Sequence, residues 1–370
     1  MSRTARPIDK MFLGLVIGLT LFGLVMLLSA SGPLALSKTG DSWYYFKHQM
    51  LNGLIPGIFA FVVLSYFDYR KLKFLALPAL ILSIGLLLLV YIPGVGTRLG
   101  GAGRWVHFGA LSFQPSEFVK VTFLIYVAAW LSTQRERRAS NLQEGLLPFL
   151  SVLGIVILLL ILQPNTGSMA VIAGASLIVY FVAGAPLGWF AALVGLGLGL
   201  IALLIKITPY RTQRLMTFLH PELDPQGVGY HINQAFLAIG SGGPFGLGYG
   251  HSRQKYSYLP EVAGDSIFAV LAEELGFFLS VTFIAALALL VKRCFTIAQS
   301  ADTEFGRFLA AGIGGWIAIQ TVLNVGSMIG LLPITGVTLP LVSYGSSALV
   351  ATAAGLGIVA SISRQARISS

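Results

Sequence analysis

Long apolar runs are the feature that most limits what this 370-residue chain can fold into. Hydrophobic residues make up 56% of the chain and charged residues only 10%. A hydrocarbon core about 30 Å thick needs about 20 apolar residues per helix, and open sheets cannot cross it. We therefore predict an all-α polytopic membrane protein with about ten transmembrane helices. The predicted spans are 11–30, 48–66, 74–92, 114–132, 145–162, 167–184, 187–206, 266–291, 307–328 and 341–362.

Lys and Arg are distributed unevenly over the connections between these spans. One side of the predicted bundle carries Arg3, Arg6, Lys10, Arg70, Lys71, Lys73, Arg135, Arg137, Arg138, Lys292, Arg293, Arg307, Arg364 and Arg367. The short loops opposite carry only Lys38, Lys47, Arg98 and Arg104. Because cytoplasmic loops are enriched in Lys and Arg, we expect both termini in the cytoplasm. The net charge of +10 then reflects membrane topology, and no nucleic acid partner is expected.

A polar segment at about 207–264 interrupts the apolar runs, between the seventh and eighth spans. The topology places it outside the membrane, where it forms a large extracytoplasmic loop within a single domain of residues 1–370. Cys294 is the only cysteine, which excludes intrachain disulfides and cysteine-based metal sites. The five histidines show no zinc-binding spacing.

Two pairs of polar residues near predicted span ends are candidates for function. Glu117 and Lys120 are three residues apart and share a helix face, either as a structural ion pair or as the wall of a polar cavity. Arg104 offers a planar donor fork for phosphate. Its neighbour Trp105 is more typical of an ordinary interfacial aromatic.

Acidic residues mark the start of the eighth span. Asp265, with Glu261 four residues earlier, lies at the predicted outer boundary. The commonest use of such an aspartate is as a helix N-cap, and the alternative is a carboxylate that takes a proton or holds a metal ion. Glu273 and Glu274 lie about 12 Å deeper, at 1.5 Å per residue. Since adjacent helical positions diverge by about 100°, at least one of them is expected to serve packing.

The polar segment also contains a glycine-rich run at 240–250. It lacks the Lys-Ser/Thr ending of a P-loop and follows no predicted strand. A close-approach loop beside Arg253 and Lys255 is still compatible with pyrophosphate binding. His231, with Gln234 nearby, is suggestive, although a lone loop histidine usually serves as a structural hydrogen-bonding group.

These motifs, taken in this order, resemble the SEDS family (shape, elongation, division and sporulation), whose members include RodA and FtsW. The matching elements are Gly103–Trp105, Gln114–Glu117 with Lys120, Asp224–Pro225, Gly229–His231 with Gln234, Ala238–Gly243, Leu259–Glu261, Asp265 with Ile267–Ala269, Glu273–Gly276 and Leu339–Gly345. The resemblance extends from the first span to the last. Residues 252–261 look more like the FtsW branch than the RodA branch.

The resemblance implies a peptidoglycan glycosyltransferase that polymerises lipid II by inverting transfer in the inner membrane of a bacterium. It makes Asp265 the expected catalytic residue, as a general base or as ligand of a divalent cation (Mg²⁺ or Mn²⁺). A class B penicillin-binding protein and other divisome or elongasome membrane proteins are the expected partners. The residues expected to contact substrate are Arg104, Trp105, Gln114, Glu117, Lys120, Arg214, His231, Gln234, Lys255, Glu261 and Ser343.

Two other functions remain open from the sequence: a flippase or transporter of polyprenyl-linked precursors, and a non-catalytic scaffold for a penicillin-binding protein. The chain also departs from the family pattern. Asn165 stands where the family usually has Asp, so a role that needs a negative charge there is in doubt. Thr338 replaces a Pro, and Ser346 replaces a Gly.

Overall fold

The structure is a computed structural model that describes residues 7–99, 102–108, 111–220 and 227–366. Arg3, Arg6 and Arg367 of the charge pattern lie outside these ranges, as do Asp224 and Pro225 of the motif pattern.

Helices dominate the described residues. They are α1 (Lys10–Thr39), α2 (Tyr44–Gln49), α3 (Ile55–Tyr66), α4 (Ala76–Leu89), α5 (Pro115–Thr133), α6 (Arg135–Ser140), α7 (Leu147–Leu162), α8 (Thr166–Val182), α9 (Leu187–Ile207), α10 (Pro209–Leu219), α11 (Val228–Gly242), α12 (Ile267–Gln299), α13 (Glu304–Met328) and α14 (Ser346–Arg364). Short π-helical turns at Met50–Leu54 and Leu142–Leu146 lead into α3 and α7, and a 3₁₀ turn at Tyr69–Leu75 leads into α4.

Within the described part of the chain, eight helices are long and apolar enough to cross a membrane. Two further predicted spans correspond to α5 and to the shorter apolar helix α8. The last predicted span was placed too early, because α14 begins only at Ser346. Residues 341–345 before it form an irregular segment that carries motif residues instead of spanning.

A small antiparallel sheet of three strands, which the sequence did not lead us to expect, precedes α5. Its strands are β1 (Gly96–Leu99), β2 (Ala102–Phe108) and β3 (Leu111–Phe113), in the order β1-β2-β3. Thr97 pairs with Trp105, and Val106 pairs with Phe113. The β-favouring residues Trp105, Val106 and Phe108 lie in the second half of β2, where it pairs with both neighbouring strands. The sheet fixes the position of Arg104 and Trp105.

The centre of the bundle is α13, which packs against α5, α8, α12 and α14. Trp316 and Phe308 on α13 are among the largest fully buried side chains. By contrast α9 is the least buried of the candidate spans. The polar segment after α9 contains α10 and α11, followed by turns up to Ser266.

The helix α12 is broken at Gly276, whose φ of 75° and ψ of −176° are non-helical. Residues 243–248 dock against the break and supply backbone partners to the groups it frees, as a membrane environment requires. A Cβ on Gly276 would lie 2.2 Å from the amide nitrogen of Gly246, so only glycine permits this approach. The bonds are Phe277 N–H to Gly243 O (2.9 Å), Phe278 N–H to Pro244 O (3.2 Å), Leu247 N–H to Glu273 O (3.0 Å) and Gly248 N–H to Glu274 O (3.0 Å).

Candidate active site

A cavity of about 1390 Å³ opens between the sheet, α10 and the segments before α12 and α14. Its lining combines cationic, acidic, aromatic and small polar side chains. The charged and aromatic ones are Lys38, Tyr45, His48, Arg104, Trp105, Arg211, Arg214, Lys255, Glu261, Asp265 and Tyr344. Pockets that mix apolar walls with a few convergent polar groups are the usual form of a ligand site.

Asp265 is held on a turn at the wall of this cavity. The carbonyl of Glu261 closes the turn by accepting bonds from the amides of Gly264 (2.9 Å) and Ser266 (3.2 Å). The N-cap position of α12 belongs to Ser266, not to Asp265. The expected capping role of Asp265 is therefore wrong, and its side chain points to the cavity beside Gly336.

The surroundings of Asp265 favour the protonated form of its carboxyl group more strongly than water does. Burial is the main cause, and the negative charge of Glu261 adds to it, so the pKa of Asp265 rises to about 7. The positive charge of Arg214 opposes this shift. The buried Oδ1 of Asp265 has no hydrogen-bond partner among the described residues.

We expect the pH dependence of activity to report on this carboxylate. A general base must be ionised, so activity falls about tenfold per pH unit below a pKa of about 7. Replacing Glu261 by Gln removes a like charge, so the pKa of Asp265 decreases and the acid limb of the pH–rate profile moves to lower pH. Initial rates from pH 5 to 9 test this. An unchanged acid limb in Glu261→Gln would argue against electrostatic coupling of the two carboxyl groups.

Hydrogen bonds from three directions hold the backbone that carries Asp265. Asn324 on α13 donates from Nδ2 to the carbonyls of Asp265 and Val337, at 2.8 Å each. The Ser343 hydroxyl donates to the carbonyl of Gly264 at 2.7 Å. The Tyr344 amide donates to the carbonyl of Ala263 at 2.7 Å. Asn324 is a positioning residue, because it acts on the reacting carboxylate through the main chain.

His231 holds the same turn from α11. Its Nε2 lies 2.6 Å from the hydroxyl of Ser266. Burial, and secondarily the positive charge of Arg214, lower the pKa of His231 to about 4, so the ring is neutral at pH 7. His231 and Ser343 do not border the cavity, and their bonds hold the turn that carries Asp265. Their contact with substrate stays a prediction. Gln234, half-buried on the same helix, does not border it either.

The variant Asn324→Asp tests positioning separately from stability. It keeps the shape of the side chain, but when ionised it cannot donate to either carbonyl and adds a negative charge near Asp265. We expect reduced kcat together with an acid limb shifted to higher pH, measured as above. Thr321→Ala, which removes a hydroxyl bonded only to its own helix, is the matched control. Loss of thermal stability with an unshifted pH profile would reduce Asn324 to a packing residue.

Arginines form the cationic part of the cavity. Arg104, on β2, donates to the carbonyl of Pro164, and Trp105 follows it on the same wall. Arg211 and Arg214 come from α10, where Arg214 donates to the carbonyl of Ile334 at 3.0 Å. Guanidinium groups at a shared wall suit bidentate phosphate recognition. Gln114, at the start of α5, also borders the cavity.

Glu117 and Lys120 lie one layer behind the cavity. Their side chains form a buried ion pair of 2.7 Å, and Lys120 also donates to Gln320 Oε1 at 2.9 Å. Gln320 in turn donates to the carbonyl of Thr338, which borders the cavity. The pair therefore supports the wall from behind as a structural ion pair, and neither residue borders the cavity. Their contact with substrate stays a prediction.

Lys255 takes part in a second buried ionic cluster. Its Nζ bonds Glu274 Oε1 (2.8 Å), the hydroxyl of Ser29 (3.0 Å) and the carbonyl of Gly250 (2.7 Å). Parts of Lys255 border the cavity, but its ammonium is committed to this cluster. The contact of Lys255 with substrate stays a prediction.

Glu273 and Glu274 both serve packing, as expected for at least one of them. Glu273 accepts from the hydroxyl of Ser252 and from the amide of Arg253. Both carboxylates are almost fully buried, and neither borders the cavity. The glycines of 240–250 do not border it either, because this run docks on the break in α12. The expected pyrophosphate contact of the glycine run is therefore not observed.

Asn165 has a local structural role. Its Oδ1 accepts from the amide of Ser168 at 3.2 Å and caps α8, while its Nδ2 donates to the hydroxyl of Ser116 at 3.0 Å. An aspartate would keep the cap, and its second oxygen would accept from the Ser116 hydroxyl instead of donating to it. Both side chains therefore fit this position.

Several cavity residues were missed from the sequence: Lys38, Tyr45, His48, Arg211 and Tyr344. Tyr344 was noticed only as part of a motif. The first three lie near the end of α1 and in α2, where they read as ordinary interfacial residues. No local signal links them to Asp265, because the cavity assembles elements distant in sequence.

The two cavity carboxylates were tested as a site for a divalent cation. No three His, Cys, Asp or Glu side chains within the described ranges are arranged to hold a metal by themselves. Glu261 and Asp265 do border one cavity, and two carboxylates completed by substrate phosphate are a usual setting for Mg²⁺. The donor set fits an ion bound together with substrate.

Comparison with known proteins gives a consistent assignment. The cell cycle protein family model of FtsW, RodA and SpoVE matches residues 9–368. The chain is 39% identical over 360 residues to the probable peptidoglycan glycosyltransferase FtsW of Trichlorobacter lovleyi, which covers 96% of this chain and 93% of the relative. It is 37% identical to stage V sporulation protein E of Bacillus subtilis, which covers 97% and 98%.

A solved structure agrees with these relatives in fold. A chain of a peptidoglycan synthase complex, described as coordinating polymerization and crosslinking, superimposes with a TM-score of 0.78 and 30% identity, over 96% of this chain and 98% of that one. The protein belongs to the FtsW/RodA/SpoVE family of multi-pass membrane proteins. The resemblance to the SEDS family and the all-α membrane fold are thereby confirmed.

Proposed function

We propose that the protein is a peptidoglycan glycosyltransferase that polymerises lipid II, with the cavity around Asp265 as its active site. The observation that carries the proposal is a carboxyl group with a pKa of about 7 in a cavity that arginines also line. Family membership and relatives named glycosyltransferases support it. The active face is then the extracytoplasmic one, with both termini in the cytoplasm.

Glycosyl transfer of this kind needs three groups, and the cavity offers each of them. The carboxylate of Asp265 removes the proton from the acceptor sugar hydroxyl as its oxygen attacks the anomeric carbon of the donor. The bond from that carbon to the polyprenyl diphosphate breaks in the same displacement, which inverts the configuration. Arg104, Arg211 and Arg214 stabilise the negative charge that develops on the departing diphosphate.

A raised pKa suits Asp265 to this step. Brønsted behaviour favours a base whose pKa lies near the working pH, since it is ionised and still basic. Asn324 bonds the carbonyl of Asp265, and Ser343 and His231 bond the residues on either side, so the carboxylate is oriented before substrate binds. A divalent cation held by Glu261 and Asp265 would add positive charge beside the diphosphate.

Acidic residues at membrane depth were one feature that kept the transporter alternative open. Glu273 and Glu274 are now accounted for by bonds to residues 252–255 and to Ser29. No observation therefore favours transport over transfer.

Reconstitution tests the function directly. Purified protein in liposomes, with and without a cognate class B penicillin-binding protein, is incubated with labelled lipid II, and the products are separated on a gel. We expect long glycan strands, at a rate that the partner raises. Movement of lipid II across the bilayer without polymer, with the partner present, would replace the proposal by a transporter. Strands made equally well by the partner without this chain would assign polymerisation to the partner and leave this chain a scaffold.

A further inference from the structure

A cluster of aromatic side chains forms one wall of the cavity and has no part in the chemistry derived above. Tyr45 and His48 come from α2, and Tyr344 precedes α14. The rings of Tyr45 and Tyr344 meet edge to face, with centroids 5.0 Å apart and planes at 78°. The hydroxyl of Tyr344 lies 2.9 Å from Nδ1 of His48. The three side chains, here called the aromatic wall, are all only half-buried.

The aromatic wall is tied directly to the turn that carries Asp265. The amide of Tyr344 donates to the carbonyl of Ala263, two residues before Asp265. The side chain of Gln49, next to His48, accepts from the amide of Gly345 at 3.1 Å. These bonds fix the position of α2 relative to the turn that carries Asp265. A ligand bound to the aromatic wall therefore has a defined position relative to the carboxylate of Asp265.

The chemistry of the wall differs from that of the arginine side. Aromatic faces with polar tips match pyranose rings, which present apolar C–H faces and hydroxyl or acetamido groups at their edges. The neighbouring lining residues Thr338, Ser346 and Ser347 are hydroxyl-bearing and add hydrogen-bonding capacity. A polyprenyl chain would instead require an apolar groove, and a diphosphate would require the cations near Arg104 and Arg214.

We propose that the aromatic wall of Tyr45, His48 and Tyr344 is a carbohydrate subsite that stacks an N-acetylhexosamine ring of the substrate next to Asp265. The proposal rests on the proposed function and specifies which part of the cavity holds sugar and which holds phosphate. Tyr45 supplies a ring face, and the hydrogen-bonded pair of His48 and Tyr344 fixes the ring orientation of the wall.

Variants at Tyr45 separate stacking from packing. Tyr45→Leu removes the aromatic face, and Tyr45→Phe keeps it. Trp43→Leu is the matched control, because Trp43 lies on the same segment, packs edge to face on Phe46 at 5.8 Å and does not border the cavity. We expect Tyr45→Leu to raise the KM for lipid II about three- to tenfold with a smaller change in kcat, and the other two variants to stay near wild type.

A binding measurement on the same proteins does not depend on turnover. Saturation-transfer NMR is recorded with soluble N-acetylglucosaminyl-N-acetylmuramic acid, and inorganic pyrophosphate serves as the probe of the cationic side. We expect disaccharide signals from wild type and Tyr45→Phe, weaker disaccharide signals from Tyr45→Leu, and unchanged pyrophosphate signals from all three proteins.

Equal KM values for lipid II, with strands formed by every variant, would overturn the subsite and leave the proposed function intact. Disaccharide binding lost in Tyr45→Leu supports the subsite even if wild type forms no strands. The subsite would be overturned if wild type gave no saturation-transfer signal from the disaccharide. It would also be overturned if Tyr45→Phe and Tyr45→Leu lost that signal to the same extent.

Discussion

Asp265→Asn is expected to lower the rate of lipid II polymerisation by about 10²–10⁴-fold, the usual contribution of a general base. Asn keeps the shape and polarity of the side chain but does not take a proton. The four main-chain and hydroxyl bonds that hold the turn do not involve the carboxyl group, so the fold should persist. The measurement is the initial rate of strand formation, with the partner complex present in every assay.

Asp41→Asn is the control for this comparison. Asp41 is a carboxylate that pairs with Lys47 at the surface and does not border the cavity. We expect it to retain wild-type activity. Asp265→Asn with a rate within a few-fold of wild type would remove the base from the mechanism. Recovery of a partly active Asp265→Glu variant by added Mn²⁺ would favour a cation-holding role over proton transfer.

Glu274→Gln is expected to cause a large loss of stability, of about 3–5 kcal/mol, because it leaves the charge of Lys255 buried without a counter-charge. The Lys255 and Glu274 side chains are only 4% and 0% exposed. The double variant Lys255→Met/Glu274→Gln removes both charges and is expected to recover most of the lost stability. Thermal unfolding of the purified proteins in the same detergent measures the expected order of stability, in which the double variant lies between wild type and Glu274→Gln.

An exposed ion pair provides the comparison. The Asp41 and Lys47 side chains are 41% and 62% exposed, and such pairs contribute about 0–1 kcal/mol. Asp41→Asn should therefore change the unfolding temperature little. A double variant as unstable as Glu274→Gln alone would contradict the buried-pair explanation. Strand formation by the double variant would in addition exclude the Lys255 ammonium from leaving-group stabilisation.

The fold was largely predictable because the bilayer sets the lengths of its helices. Apolar runs of about 20 residues identified the spans, and charge asymmetry suggested their orientation. The β-sheet at 96–113 was missed, because three short strands between spans leave no regular pattern of their own. The break at Gly276 was also missed, since the hydropathy of α12 continues across it without interruption.

Residue roles within the site were less predictable than its location. Asp265 was identified by motif resemblance, and chemistry alone favoured a helix cap. The ion pair of Glu117 and Lys120 follows from their i,i+3 spacing and was one of the two expected roles. Lys255 looked like a cavity cation, but its acidic partner Glu274 comes from α12. Asn324 was overlooked, because a single amide within an apolar helix gives no sign of which backbone it will bond. Such pairings depend on contacts between distant segments, which local sequence does not record.

The docking of 243–248 on the break of α12 bears on how the chain is made. A nascent helix normally completes its backbone bonding within itself as it partitions from the translocon into lipid. Here the span carries a gap that only an upstream segment fills. Residues 243–248 must therefore have folded back onto α12 before the backbone bonds of that span are complete. We therefore expect a shortened 243–248 segment to impair biogenesis of the protein more than the catalytic turnover of the protein that does fold.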